Sequence, residues 1–229
     1  MRKLGMVGGT SWVSTAMYYE QINKGVARKL GGLSSAPLIL ESLDLAPVAE
    51  AELAGNWDVV AEIVTDAARR LEKAGAEGLL LCSNTTHKVA DAVSEVVALP
   101  LIHIGDVTAE RLVADGVKRA GLIGTRFTMG EPFIRERLEA RGIALALPDP
   151  ATAEEIDRII FEELVKGQVT RNSQRRLKTC LTEMAQQRQQ AVILGCTELV
   201  MLVDPGASVL PVYDTTALHA KAAVEWITA

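Results

Sequence analysis

Cysteine is scarce in the 229-residue chain: Cys82, Cys180 and Cys196 are an odd number, too few for a disulfide scaffold and without Cys-x-x-Cys spacing. Structural zinc is therefore not expected. Histidine is equally sparse, with His87, His103 and His219 scattered and no His-Glu-x-x-His pair, so no metal site has local support. A basic excess is also missing. The formal net charge is −5, which counts against general contact with a nucleic-acid backbone. No apolar run approaches the roughly 18 residues that cross a bilayer. Met1 to Lys3 lead straight into a strand-like pattern rather than into the charged and apolar regions of a signal peptide. No membrane partner is expected, and a cytoplasmic chain is the default.

What is present is a well-balanced globular composition, with 48% hydrophobic and 23% charged residues. The length suits one large domain or two of about 100 residues each. Short apolar runs alternate with amphipathic stretches, the pattern of a parallel sheet wrapped in helices, so the fold class is α/β. Strands are expected at 3–7, 38–42, 78–82, 101–103, 119–123, 143–146, 191–194 and 209–210. Helices are expected at 15–30, 59–73, 131–141, 153–166, 172–189 and 216–228, where apolar residues recur every three or four positions.

A weak internal repeat matters more than any single element. Lys3-Leu4-Gly5-Met6-Val7-Gly8 resembles Arg119-Ala120-Gly121-Leu122-Ile123-Gly124, and each is followed about 70 residues later by an apolar strand ending in a small polar cluster. The chain thus reads as two pseudo-symmetric α/β halves, residues 1–102 with 204–229, and residues 103–203. Ligands of open parallel sheets bind beyond the carboxyl ends of strands, so the expected site is a cleft between the halves.

Three loops invite chemistry. Gly8-Gly9-Thr10-Ser11-Trp12 lacks the spacing of a dinucleotide or Walker loop and suits either a small anion or a plain turn capped by Ser14 or Thr15. Cys82-Ser83-Asn84-Thr85-Thr86-His87 packs more hydrogen-bonding residues together than a helix cap requires, which favours an anion pocket. In Gly195-Cys196-Thr197-Glu198 the cysteine lies between a strand and a helix, where the helix dipole is expected to lower its pKa toward neutrality and prepare a base or nucleophile. The alternative is a buried, inert thiol. Cys180, inside a polar-rich helix, takes that inert reading.

Taken together, these residues resemble the cofactor-independent aspartate/glutamate racemases over nearly the whole chain. The resemblance is carried by Gly8 to Trp12, Asn84-Thr85-Thr86-His87, Gly195-Cys196-Thr197-Glu198 and Asp214-Thr215-Thr216-Ala217-Leu218-His219-Ala220, in family order. Gly31-Gly32-Leu33 and Gly124 to Met129 add to it. It implies inversion of a small dicarboxylic amino acid without cofactor or metal, by proton removal on one face of the α-carbon and delivery on the other, in a homodimer. Cys196 is then the main acid/base. Asn84, Thr85 and Thr197 are donors that stabilise the carbanion-like state, with Thr10 and Thr125 at the cleft edges.

One departure is clear. The family's first cysteine stands immediately before Asn-Thr, and here that position is Ser83; Cys82 is one residue off and faces the other way. Ser83, far less acidic than a thiol, is suited to relaying or donating a proton, which predicts an asymmetric enzyme. Glu198, on the same turn as Thr197, is a candidate to orient the substrate ammonium or another side chain. The resemblance also marks Lys166 as a carboxylate ligand, with a solvent-facing lysine near a helix C-terminus the alternative, and Glu52 as a residue where related chains carry a neutral amide. A carboxylate at Glu52 repels a dicarboxylic ligand unless protonated or paired. His87 and His219 match family positions, with a satisfied structural histidine the alternative reading for His87. Two other activities remain open: a single-cysteine decarboxylase of malonate-like acids, and a non-catalytic small-molecule binder.

Overall fold

The computed structural model describes residues 1–229 and divides into two units, residues 1–103 with 219–229, and residues 104–218. No helix is long and apolar enough to cross a membrane.

In the first unit the elements are β1 (Leu4–Gly8), α1 (Trp12–Leu30), β2 (Leu38–Ser42), α2 (Leu45–Leu53), α3 (Trp57–Lys73), β3 (Gly78–Leu81), a 3-10 turn (Thr85–Val89), α4 (Ala90–Val96) and β4 (Leu101–Ile102). The four strands form a parallel sheet in the order β2-β1-β3-β4. β1 and β3 are buried on both faces, which is why their sequences run apolar without alternation. Successive side chains divide between two layers. Val7, Leu79 and Leu81 pack with α3 residues Val60, Val64, Ala67, Ala68 and Leu71. Leu4, Met6, Leu80 and Cys82 pack with Tyr18, Ile22 and Val26 of α1.

The second unit contains α5 (Ile104–Ala114), β5 (Arg119–Gly124), α6 (Arg126–Gly130), α7 (Pro132–Glu139), β6 (Ala144–Ala146), α8 (Pro150–Glu162), a 3-10 turn (Leu164–Lys166), α9 (Arg171–Gln186), β7 (Ala191–Gly195), a 3-10 turn (Thr197–Met201) and β8 (Val212–Asp214). Its parallel order, β6-β5-β7-β8, repeats that of the first unit. α10 (Thr215–Thr228) begins in the second unit and ends in the first, where Ala220, Ala223, Val224 and Ile227 complete the layer around Leu4 and Tyr18.

The last strand departs from the sequence expectation. Residues 209–210 form a bend, and the strand runs from Val212 to Asp214, in register with Val192, Ile193 and Leu194 of β7. Pro211 still contributes, its carbonyl accepting from the Val192 amide at 2.9 Å. Because β8 completes the second sheet, residues 204–218 belong to the second unit rather than to the first.

Candidate active site

The two sheets share a register that identifies equivalent positions. In the first, Leu4 pairs with Gly78 and Val7 with Leu81; in the second, Ala120 pairs with Ala191 and Ile123 with Leu194. With β1 matched to β5 through the internal repeat, Leu81 is equivalent to Leu194, Cys82 to Gly195 and Ser83 to Cys196. The same fold position therefore carries a hydroxyl in one unit and a thiol in the other. Cys82 belongs to the apolar layer behind β3, and burial pushes its thiol far up from the ordinary range.

In the first unit, Ser83 is half-buried at the end of β3, followed by buried Asn84, Thr85, Thr86 and His87. The Ser83 carbonyl accepts from the His87 ring at Nδ1 (2.7 Å) and from Thr86 Oγ1 (3.2 Å). The glycine turn after β1 is satisfied from within. Gly9 donates its amide to Thr15 Oγ1 at 2.9 Å, and Thr15 Oγ1 donates to the Ser11 carbonyl at 2.9 Å. The side-chain cap of α1 is Ser11, accepting from the Ser14 amide, rather than Ser14 or Thr15. Gly9 sits at φ +85°, where a Cβ would lie 2.0 Å from the Leu43 carbonyl oxygen, so the turn has no room for another residue. Thr10 is half-buried in this turn. Glu52, near the end of α2, is only 7% exposed, and desolvation pushes its carboxyl up to about 7.

In the second unit, Cys196 ends β7 and is 7% exposed. Its Sγ donates to Glu198 Oε2 at 3.1 Å, and Thr197 Oγ1 donates to the same oxygen at 2.6 Å. Glu198 is 3% exposed, and its other oxygen, Oε1, is buried without a protein partner. Burial, and then the negative charge of Glu198, push the Cys196 thiol well above its usual range. This reverses the expected fall toward neutrality. The amides of Glu198 and Leu199 do favour the thiolate, but they belong to a single 3-10 turn whose pull is smaller than the two opposing effects. Thr197 likewise gives its hydroxyl to Glu198, so that group is already engaged rather than held ready for a ligand carboxylate.

The remaining expected residues occupy different settings. Thr125 caps α6, accepting from the Thr128 amide at 3.3 Å. Lys166 is exposed at the end of its 3-10 turn. Cys180 is buried among α8 and α9 side chains, its thiol pushed up to about 11. One residue without any local sequence signal joins the set: Asp157 of α8, 3% exposed, accepts from the Arg126 amide (2.7 Å) and Arg126 Nε (2.8 Å), fixing the start of α6 beside Thr125. No three His, Cys, Asp or Glu side chains converge where a metal ion could sit.

A doubled four-stranded parallel unit, with a short polar loop after each β3-type strand, is the two-domain α/β architecture of the Asp/Glu racemases. The chain belongs to the Asp/Glu/hydantoin racemase family, whose model matches residues 7–223. It is similar to a candidate Asp/Glu racemase of Yersinia pestis, at 41% identity and TM-score 0.92 over all of both chains. An aspartate racemase homologue from Pyrococcus horikoshii is 31% identical, with TM-score 0.85, again over the whole of both chains. The broad specificity amino-acid racemase RacX of Bacillus subtilis is 25% identical over 169 residues, 74% of this chain and 73% of that protein.

Proposed function

We propose that the chain inverts acidic amino acids, aspartate or glutamate, without pyridoxal phosphate or metal, with Cys196 as the main acid/base on one face of the α-carbon and Ser83 on the other. The observation that carries this reading is the buried Cys196–Glu198 pair at the position equivalent to Ser83. A structural cysteine has no need of a desolvated carboxylate at 3.1 Å, which costs stability unless something else uses it. The racemases among its relatives supply the reaction class.

The resting thiol carries its proton. In the proposed reaction the substrate ammonium pairs with Glu198 Oε1, the oxygen left without a protein partner. That pairing offsets the negative charge that disfavours the thiolate. Glu198 Oε2 then takes the thiol proton, and the thiolate removes the α-proton and becomes a thiol again. The electron pair left on the α-carbon delocalises into the substrate carboxylate, stabilised by donors from Asn84, Thr85, Thr10 and Thr125. Ser83 delivers a proton to the opposite face and is reprotonated from solvent, while Glu198 releases to solvent the proton it took from the thiol, so that both groups return to their resting states. Lys166 holds a carboxylate. Glu52, with its carboxyl raised to about 7, is a hydrogen-bond donor to the distal carboxylate below that pH and repels it above.

The test is proton NMR of the L and D forms of aspartate and glutamate incubated with the protein in D₂O, with chiral chromatography of the same samples and a Cys196→Ala control. Loss of the α-proton signal together with inversion, both absent from the control, is the expected result. Absence of exchange from all four amino acids would overturn the acidic-substrate reading. The same protein would then be assayed for carbon dioxide release from substituted malonates.

A further inference from the structure

All three histidines of the chain, far apart in sequence, meet in the first unit. His87, His103 and His219 are 2%, 7% and 0% exposed. The His87 ring centroid lies 4.5 Å from that of His103 and 5.5 Å from that of His219, at interplanar angles of 68° and 62°. Tyr18, fully buried, closes the group edge-on to His219 at 5.6 Å. The rings meet edge to face and do not gather around a metal point.

The hydrogen bonds fix the tautomers. His219 Nε2 lies 2.7 Å from the Ile102 carbonyl oxygen, which only accepts, so Nε2 carries the hydrogen and Nδ1 accepts from Tyr18 Oη at 2.9 Å. His87 has the opposite arrangement. Its Nδ1 lies 2.7 Å from the Ser83 carbonyl oxygen and must carry the hydrogen there. A ring clamped in a buried layer therefore grips the peptide group of the residue equivalent to Cys196. The Ser83 carbonyl orientation sets the backbone angles at that residue, and with them the direction in which its hydroxyl projects.

We propose that His87 is a positioning residue for Ser83: as the Nδ1–H tautomer, locked in place by the His103, His219 and Tyr18 rings, it fixes the Ser83 peptide and so aims the hydroxyl that delivers a proton. This rests on the racemase reading for its catalytic consequence. The geometric part stands separately. Burial and the neighbouring His87 hold His219 down at about 3, so the His219 ring stays neutral across the working range and keeps its Nε2–H tautomer.

His87→Asn and His87→Gln separate aiming from packing. The Asn amide nitrogen occupies the place of Nδ1 and keeps a donor to the Ser83 carbonyl, whereas the Gln amide reaches toward Nε2 and loses it. In D₂O, with the full chain, exchange at the α-carbon and inversion are measured together. The expected result is a fall of about tenfold or more in the ratio of inversion to exchange for His87→Gln, with a ratio near wild type for His87→Asn. A merely structural role changes the folded fraction and lowers both rates equally. An unchanged ratio in His87→Gln, or an equal fall in both variants, would overturn the proposal. Long-range proton–nitrogen NMR of the wild-type histidines gives a readout independent of turnover. Protonated Nδ1 in His87, with Ser83 carbonyl-carbon shifts that move in His87→Gln and hold in His87→Asn, is expected. A protonated Nε2 and bare Nδ1 in His87 would overturn the clamp itself. A wild-type chain that neither exchanges nor inverts any acidic amino acid, while the NMR shows the clamp, would sink the racemase reading and the aiming role but not the tautomer assignment.

Discussion

The two units place different chemistry on one topology. At the end of β3 the first unit has a hydroxyl, Ser83, whose carbonyl is held by the His87 ring; at the end of β7 the second has a thiol, Cys196, hydrogen-bonded to a buried carboxylate. The strand register is the same, so the difference resides in what lies around the two loops. A 3-10 turn follows in both units, but the residue two positions on is Thr85 in the first and Glu198 in the second, and only the carboxylate reaches back to accept from the thiol, at 3.1 Å. A fold duplicated in backbone has been made unequal in proton affinity.

The largest effect should come from removing the stronger partner. Cys196→Ala is expected to lower both α-proton exchange and inversion by about a thousandfold, whereas Ser83→Ala removes inversion and keeps exchange. Equal losses of both rates in the two variants would break the asymmetry. A second comparison concerns the buried acids. Glu52 has a folded-state pKa of about 7 against an ordinary value of 4.5, so the folded protein binds more protons than the unfolded chain between those values. Stability from this group is therefore complete below about pH 4.5 and is lost as pH rises through 7. The total is on the order of 3 kcal/mol. Denaturant unfolding across that range should show the loss in wild type and not in Glu52→Gln.

A smaller effect is expected when the units are made alike. Ser83→Cys supplies a more acidic group at the equivalent position and should raise inversion about tenfold in the same chiral assay. No gain would show that the imidazole-backed loop does not aim a side chain at the α-carbon. Smallest is the change in thiol acidity on neutralising Glu198. Removing that charge in Glu198→Gln lowers the Cys196 midpoint while burial, the larger cause, still holds it high. Ultraviolet titration of the thiolate in a chain with Cys82→Ala and Cys180→Ala reads this directly. A midpoint that rises instead would show that the carboxylate stabilises the thiolate.

Much of this was legible in the residues. Apolar runs at β1, β3, β5 and β7 identify a doubly covered parallel sheet because both faces are buried, and the repeat of Lys3–Gly8 at Arg119–Gly124 announces the duplication. β8 was harder to place. Val209 and Leu210 carry the apolar signal, yet Val209 is exposed, and the strand begins only after Pro211, where pairing with β7 is possible. The thiol's acidity departs from the sequence expectation for a related reason. Sequence shows a cysteine before a turn, but desolvation and the approach of Glu198 Oε2 are set by tertiary packing. The imidazole layer lay beyond local reading altogether, since no spacing links residues 87, 103 and 219.

The route of α10 has a consequence for synthesis. Residues 104–218 make up the second unit as one uninterrupted stretch, while the first unit is closed by residues 219–229, whose Ala220, Ala223, Val224 and Ile227 cover Leu4, Met6 and Tyr18. During translation the earlier half therefore waits with an uncovered apolar face while the later half has all the chain it needs. Such an exposed intermediate is the species that binds chaperones and aggregates, and the usual amino-to-carboxyl order of domain completion is inverted.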